Sequence, residues 1–200
     1  MIVAAILDGL DVREEDFLLD LCCGNGALST RIFARCRGGQ GVDFSEELIR
    51  VAREHFEKPS RETYRLADVV EYLGTEAETD RFTKAYCYGS FQYLPQDKAE
   101  RFLADLNRRF VGVERFYVGN LPDREKIREF YRGRAYCEGI EHVHNSDIGI
   151  WRTKDEFAKI AADAGWMVRF RTMPPEFFAA GYRYDALLYR EGVGLDNEER

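Results

Sequence analysis

The run Leu18-Leu19-Asp20-Leu21-Cys22-Cys23-Gly24-Asn25-Gly26 constrains this chain more than any other stretch. An apolar run ends in an acid, a tight Gly-x-Gly turn follows, and Ala27 to Arg35 then reads as a helix. A strand, a loop and a helix in that order form a cradle for a nucleotide-like ligand. Glycine lets the backbone approach a ligand closely and adopt dihedrals that a Cβ blocks. The acid just before the turn favours a ligand with positive charge or several donors over a pyrophosphate.

The rest of the chain alternates strands and helices. Ile2 to Leu10 reads as a short amphipathic helix, and Phe17 to Cys22 as a strand buried on both faces. Further strands are expected at Gly39 to Asp43, Thr63 to Ala67, Phe82 to Tyr88 and Val113 to Leu121. Ser45 starts a helix running to His55, and a smaller helix lies near Val69–Leu73. Gln96 to Arg109 is strongly amphipathic, with Ala99, Phe102, Leu103 and Leu106 on one side. Asp123 to Tyr131 is helical and polar, and Gly133 to Ile150 shows no periodicity. Thr153 and Glu156 form a capping box for a helix ending at Ala164-Gly165. Trp166 to Thr172 and Ala186 to Arg190 are the last strands, with the loop-like Met173 to Asp185 between them. Alternation implies a mostly parallel sheet with helices on both faces. The short final link implies an antiparallel hairpin, so the expected seven-stranded α/β sheet carries one antiparallel strand near its edge.

A chain of 200 residues can bury one sizeable core, and we expect a single domain over residues 1–190 with an acidic tail at 191–200. The net charge of −7 weighs against gripping a phosphate backbone, so a nucleic-acid substrate is not expected. Cys22, Cys23, Cys36, Cys87 and Cys137 are odd in number and lack zinc spacing, which points to buried free thiols in a reducing cytoplasm. The apolar Ile2–Leu7 stretch is too short to span a membrane and lacks the features of a leader, so no membrane association is expected.

Three acids, Asp20, Asp43 and Asp68, stand at or near the ends of the first three strands, where ligands of open α/β sheets bind. Each alone reads as well as a loop or helix-cap residue; together with Gly24 and Gly26 they form a pattern. Asp43 can accept from both hydroxyls of a ribose. Asp68 can accept from an adenine amino group, with the Val69 amide at the same ring edge and Phe44 as an apolar face. Asp20 can hold an ammonium, directly or through water. A ligand combining adenosine, a sulfonium and an amino-acid tail satisfies all three, and S-adenosylmethionine is that ligand. The nicotinamide alternative has some support, because Asp43 lies nineteen residues after Gly24. Against it, Ser29 fills the third glycine position and Asp20 would repel a pyrophosphate.

The Leu18–Gly26 run resembles the glycine motif of class I S-adenosylmethionine-dependent methyltransferases. Gly41-Val42-Asp43-Phe44-Ser45 is similar to their second-strand motif, Leu66-Ala67-Asp68-Val69 to their adenine-binding segment, and Tyr86 to Leu94 stands where their fourth-strand motif belongs. The resemblance covers residues 15 to 121 and implies a Rossmann-like fold. It implies that Asp20, Cys22, Gly24, Gly26, Asp43, Phe44, Asp68, Val69 and the backbone near Tyr88 surround the cofactor, with S-adenosylhomocysteine as product. Two departures stand out. Cys22 replaces a usual glycine, and only about sixteen residues precede the first strand where the family usually carries a longer helical cover. The pocket is therefore expected to be open, covered by residues 133–150, closed by a second copy of the chain, or lacking a segment.

By the same resemblance, residues 133–150 and 173–185 lie on the acceptor side. His142 and His144 would share a face if their segment is extended, and either could serve as a general base. Tyr88 is a third catalytic candidate. Metal ligation by His142, His144 and Asp147 lacks a fixed third ligand, so no metal is expected. Gln92, Tyr93, Trp151, Arg152, Glu176, Phe177, Phe178, Tyr182 and Arg183 are further rim candidates, and such aromatics suit a flat or sugar-like acceptor. The expected activity is methyl transfer to a small molecule such as a sugar, lipid precursor or metabolite. The alternatives are an inactive cofactor-binding module on the same fold, a protein or RNA methyltransferase, and an aminopropyl-transferring relative.

Overall fold

The buried Phe-Leu-Leu-Asp-Leu run forms the central strand of a seven-stranded sheet in the computed structural model, which describes residues 1–194. The strands are β1 (Phe17–Leu21), β2 (Gly38–Asp43), β3 (Glu62–Leu66), β4 (Lys84–Tyr88), β5 (Arg115–Pro122), β6 (Met167–Thr172) and β7 (Arg183–Tyr189). Their order is β3-β2-β1-β4-β5-β7-β6. The first five are parallel neighbours, and β7 is antiparallel to both β5 and β6. Strand order reverses between β1 and β4, which opens a crevice beyond their carboxyl ends. The expected fold class is therefore the observed one.

The helices are α1 (Ile2–Leu10), α2 (Ser29–Phe33), α3 (Glu46–Phe56), α4 (Val69–Thr75), α5 (Gln96–Arg109), α6 (Ile127–Phe130) and α7 (Lys154–Asp163). The stripe of α5, Ala99, Phe102, Leu103 and Leu106, packs with Leu73 of α4, Phe157 of α7, and Cys87 and Phe116 of the sheet. On the other face Ile6 and Leu10 of α1 and Ile32 and Phe33 of α2 pack on Leu18, Tyr86 and Tyr117. Both faces are thus covered, as a parallel sheet requires. Thr153 and Glu156 make the expected capping box of α7. Lys84 at the start of β4 is buried and anchored by Asp16 at 2.6 Å and the Asp11 carbonyl at 2.6 Å, which ties the α1–β1 link under the sheet.

Several expectations shift. The helix after the glycine turn is short, Ser29–Phe33 rather than Ala27–Arg35, because turns occupy both of its flanks. β7 begins at Arg183, not Ala186. Tyr184 is buried among Phe157 and Phe170, and Asp185 is bonded into the sheet, so these polar-looking residues are strand rather than loop. Cys137 is exposed, unlike the other four thiols. The tail expected at 191–200 lies outside the described residues from 195 onward. Among the described residues no helix is long and apolar enough to cross a membrane.

Candidate active site

Beyond β1 the chain enters two left-handed positions in quick succession, Cys22 at φ 70° and Gly24 at φ 56°. The Cys22 and Cys23 amides both donate to the Val42 carbonyl, at 2.8 and 3.0 Å, which docks the turn onto the end of β2. The Gly24 amide donates to one oxygen of Asp43 at 2.9 Å, and the Ser45 amide to the other at 2.9 Å. Asp43 is 6 % exposed, so these charge-assisted bonds fix the glycine turn against the start of α3. The two glycines serve different ends. A Cβ on Gly24 would meet nothing within 4 Å, so the turn there faces open space. A Cβ on Gly26 would lie 2.8 Å from the Tyr64 ring and 3.0 Å from Ala52. Gly26 is required by packing, and Gly24 leaves room for a ligand.

Asp20 is 2 % exposed and accepts from the Ser29 hydroxyl at 2.6 Å. Burial pushes its carboxyl up to about 7, with hydroxyl contacts from Ser29 and Tyr86 opposing and the Asp43 charge adding. The direct ammonium contact that its sequence position suggests is closed by this burial, and any influence on a ligand passes through its neighbours. Asp68 caps α4. One oxygen accepts from the Val70 and Glu71 amides at 2.9 and 3.2 Å, and the other lies 3.5 Å from the Lys98 ammonium. The Val69 side chain is buried in the core, while its amide belongs to the first turn of α4, whose N–H groups lack intrahelical partners. Phe44 is 75 % exposed and Leu66 is 40 % exposed. They follow or end β2 and β3, so two apolar side chains flank the place between Asp43 and Asp68. Leu66 was not singled out from sequence, although its place before Ala67-Asp68 carries the signal.

At the ends of β4 and β5 lies a second group. Tyr88 is half-buried, with its ring packed over Gly119. Burial and the nearby Asp185 charge push its hydroxyl above the ordinary range, so at neutral pH it is a donor rather than a base. Asn120 sits at a break in the β5–β7 register with φ 66°. Its amide donates to Asp185 at 2.7 Å and its carbonyl accepts from Arg183. Asp185 also accepts from the Tyr117 hydroxyl at 2.5 Å, and burial raises its carboxyl. In the sequence Asp185 ends the loop-like Met173 to Asp185 stretch, and the one signal for Asn120 is a Gly-Asn pair inside a strand, which marks a bulge.

The segment after β5 is tied back to this end of the sheet. The Tyr93 hydroxyl donates to the Asp147 carbonyl at 2.9 Å, and the Ile150 amide to the Gln92 carbonyl at 2.8 Å. The two histidines are not aligned as expected. His142 closes a short 3-10 turn at Ile140–His142 instead of lying on an extended strand, and both are exposed. His142 lines a groove of about 310 Å³ with residues of α5 and α7, among them Glu100 and Lys159. None of the glycine-turn residues lines that groove. Trp151 and Arg152, expected at the rim, are buried instead, and Arg152 bonds Gln96 at 3.0 Å. Of the last connection, Phe178 is 85 % exposed.

A parallel sheet with its order reversed at β1/β4, an antiparallel seventh strand and an acid at each of the first three strand ends define the class I, Rossmann-like methyltransferase fold. Residues 18–110 match the family described as Methyltransferase domain. That match spans 93 of the chain's 200 residues, from β1 through α5, and takes in the glycine turn and all three acids. It is 24% identical over 154 residues to YqeM of Bacillus subtilis (strain 168), a provisionally named methyltransferase, covering 69% of this chain and 62% of that protein. The chain thus spans about three-fifths of the length of that relative. Among solved structures, the methyltransferase domain of bacterial CtHen1-CN superposes with a TM-score of 0.66 at 19% identity, covering 94% of this chain and 95% of the other. Magnesium protoporphyrin IX methyltransferase (ChlM) from Synechocystis PCC 6803, with bound S-adenosylhomocysteine, gives 0.65 at 17% identity, covering 94% and 80%. At such identities the likeness is one of fold. The cradle itself fits S-adenosylmethionine: the space over Gly24 is open, Phe44 and Leu66 offer apolar faces, and Asp43 is fixed by the Gly24 and Ser45 amides.

Proposed function

We propose that this protein transfers the methyl group of S-adenosylmethionine to a small-molecule acceptor. The observation that carries the reading is Asp43, held by two backbone amides beside a glycine turn that opens onto free space. Each of its oxygens keeps a further lone pair for a ribose hydroxyl. Gly24 and Gly26 shape the turn that would receive the amino-acid tail, with Cys22 and the buried Asp20 behind it. Asp68 and the Val69 amide would meet the adenine edge, and Phe44 and Leu66 its faces. The Tyr88–Gly89 backbone at the end of β4 would meet the tail.

A sulfonium carries an already activated methyl group, open to in-line displacement. What the chain supplies is alignment and exclusion of water. Residues 133–150, pinned by Tyr93 and Gln92, and residues 173–185 form the acceptor side in this reading. Tyr88 would orient an acceptor as a donor. A base role for His142 or His144 needs the exposed segment to fold over the cleft. It predicts a loss of turnover in His142→Ala or His144→Ala, which full turnover would exclude for that histidine. Acidic composition and a compact acceptor segment favour a small molecule; the ChlM relative is named for one, magnesium protoporphyrin IX.

Calorimetric titration with S-adenosylmethionine, S-adenosylhomocysteine and NAD tests the reading. Micromolar binding of both sulfur compounds and none of NAD is the expected result. Binding of NAD alone would overturn it. Cofactor binding without turnover across an acceptor screen would favour a binding module.

A further inference from the structure

Residues 124–134 run against the charge of the chain. Arg124, Lys126, Arg128, Arg132 and Arg134 stand with only Glu125 and Glu129 between them, in a protein of net charge −7. Two of these cations are used internally: Arg124 pairs with Glu156 at 2.5 Å and Arg132 with Glu129 at 2.6 Å. Arg134 lies over the Phe130 ring at 4.4 Å. Arg128 has no ion-pair partner among the described residues. It lines a cavity of about 230 Å³ together with Ile127, Tyr131 and Tyr136.

The walls of that cavity are ordered by aromatic packing. The Tyr131 and Tyr136 rings meet edge to face at 5.3 Å, and Tyr131 packs on Phe130 at 5.0 Å. Phe130 in turn contacts Trp151 at 5.5 Å and Tyr182 at 5.1 Å. The Tyr136 hydroxyl donates to Glu141 at 3.0 Å, which fixes the orientation of that ring. The cavity therefore offers two tyrosine rings, an isoleucine and one uncommitted guanidinium. Tyrosine rings pack on a flat apolar body, and a guanidinium fork matches the two oxygens of a carboxylate or phosphate.

We propose that this cavity binds a planar ring bearing an oxyanion, and that it holds the anionic end of the methyl acceptor. The second half rests on reading the segment after β5 as the acceptor side. That segment leaves the carboxyl end of β5, the same end of the sheet at which Gly24, Asp43 and Asp68 stand.

Amide chemical-shift titration of the full chain with phenyl phosphate, benzoate and benzyl alcohol tests it, with S-adenosylhomocysteine titrated in parallel. The two anions are expected to shift the amides of Ile127, Arg128, Tyr131 and Tyr136, and the neutral alcohol to bind several-fold more weakly. Arg128→Gln should weaken the anions about two- to fivefold, the scale of an exposed charge pair, and Arg128→Lys should fall between. Because Arg128 is exposed, the melting temperature of both variants should stay that of the parent. Equal binding of benzyl alcohol, unchanged anion binding in Arg128→Gln, or no shifts at these amides up to about 20 mM would each overturn the site. Anion binding together with loss of S-adenosylhomocysteine binding would instead overturn the methyl-transfer reading and leave the anion site standing.

Discussion

At the scale of single residues Asp43 does two jobs that can be separated. Its oxygens take the Gly24 and Ser45 amides, so it shapes the turn, and the remaining lone pairs face the ribose in our reading. Charge-assisted hydrogen bonds are worth roughly 1.5–3 kcal/mol each. Asp43→Ala should therefore raise the dissociation constant for S-adenosylhomocysteine about tenfold or more, and should also lower the melting temperature, since two amides lose their acceptor. Asp43→Asn keeps one acceptor oxygen and should recover part of the stability but little of the affinity. Calorimetry and thermal melting on the same preparations separate the two effects. An Asp43→Ala protein that is folded and binds with parental affinity would remove Asp43 from the cofactor site. The aspartate was legible in the sequence because it closes the expected Gly39–Asp43 strand just before Ser45 starts a helix, a purely local signal. Its second role was not, because Gly24 comes to it only through the pairing of β1 with β2.

The glycine turn shows at the level of the element how one motif carries two constraints. Gly26, at φ 77°, lies under Tyr64 and beside Ala52, while Gly24, at φ 56°, faces open space. A left-handed alanine costs about 1–2 kcal/mol, and overpacking adds about 1–3. Gly26→Ala should therefore lower unfolding free energy by roughly 2–5 kcal/mol in urea titrations. Gly24→Ala should lose only about 1–2 kcal/mol of stability, but most of its affinity for S-adenosylhomocysteine. Parental affinity in Gly24→Ala would mean that no ligand approaches the turn there. Elements with a strong period or a cap, such as α5 and α7, were readable to within a residue or so. The start of β7 and the bulge in β5 were not. Asn120 and Asp185 are bonded across 65 residues, and the bulge that brings them together breaks the alternation by which a strand is recognised. The histidine segment failed for a related reason: a spacing of two aligns side chains only on an extended chain, and a 3-10 turn intervenes.

For the whole molecule, the sheet order places its crevice between β1 and β4 and so buries the acid of the leading motif at the centre of the fold. That burial makes the stability of the protein depend on pH. In the unfolded chain an aspartate titrates near 3.9, whereas Asp20 in the folded chain is pushed up to about 7. Between those values the folded state binds more protons than the unfolded one. The contribution of this group is therefore most favourable at low pH and is lost as pH rises from about 4 to about 7. Above that window the folded protein carries a buried charge. Asp20→Asn keeps an acceptor for the Ser29 hydroxyl and cannot ionise. Its stability relative to the parent should improve steadily from pH 5 to pH 7, by about 1–3 kcal/mol, and level off by pH 8. Other titrating groups move both proteins together, so the difference between the two unfolding curves isolates Asp20. A difference that stays constant across this range would show that the carboxylate is ionised throughout, stabilised by Ser29 and Tyr86 more strongly than burial opposes it.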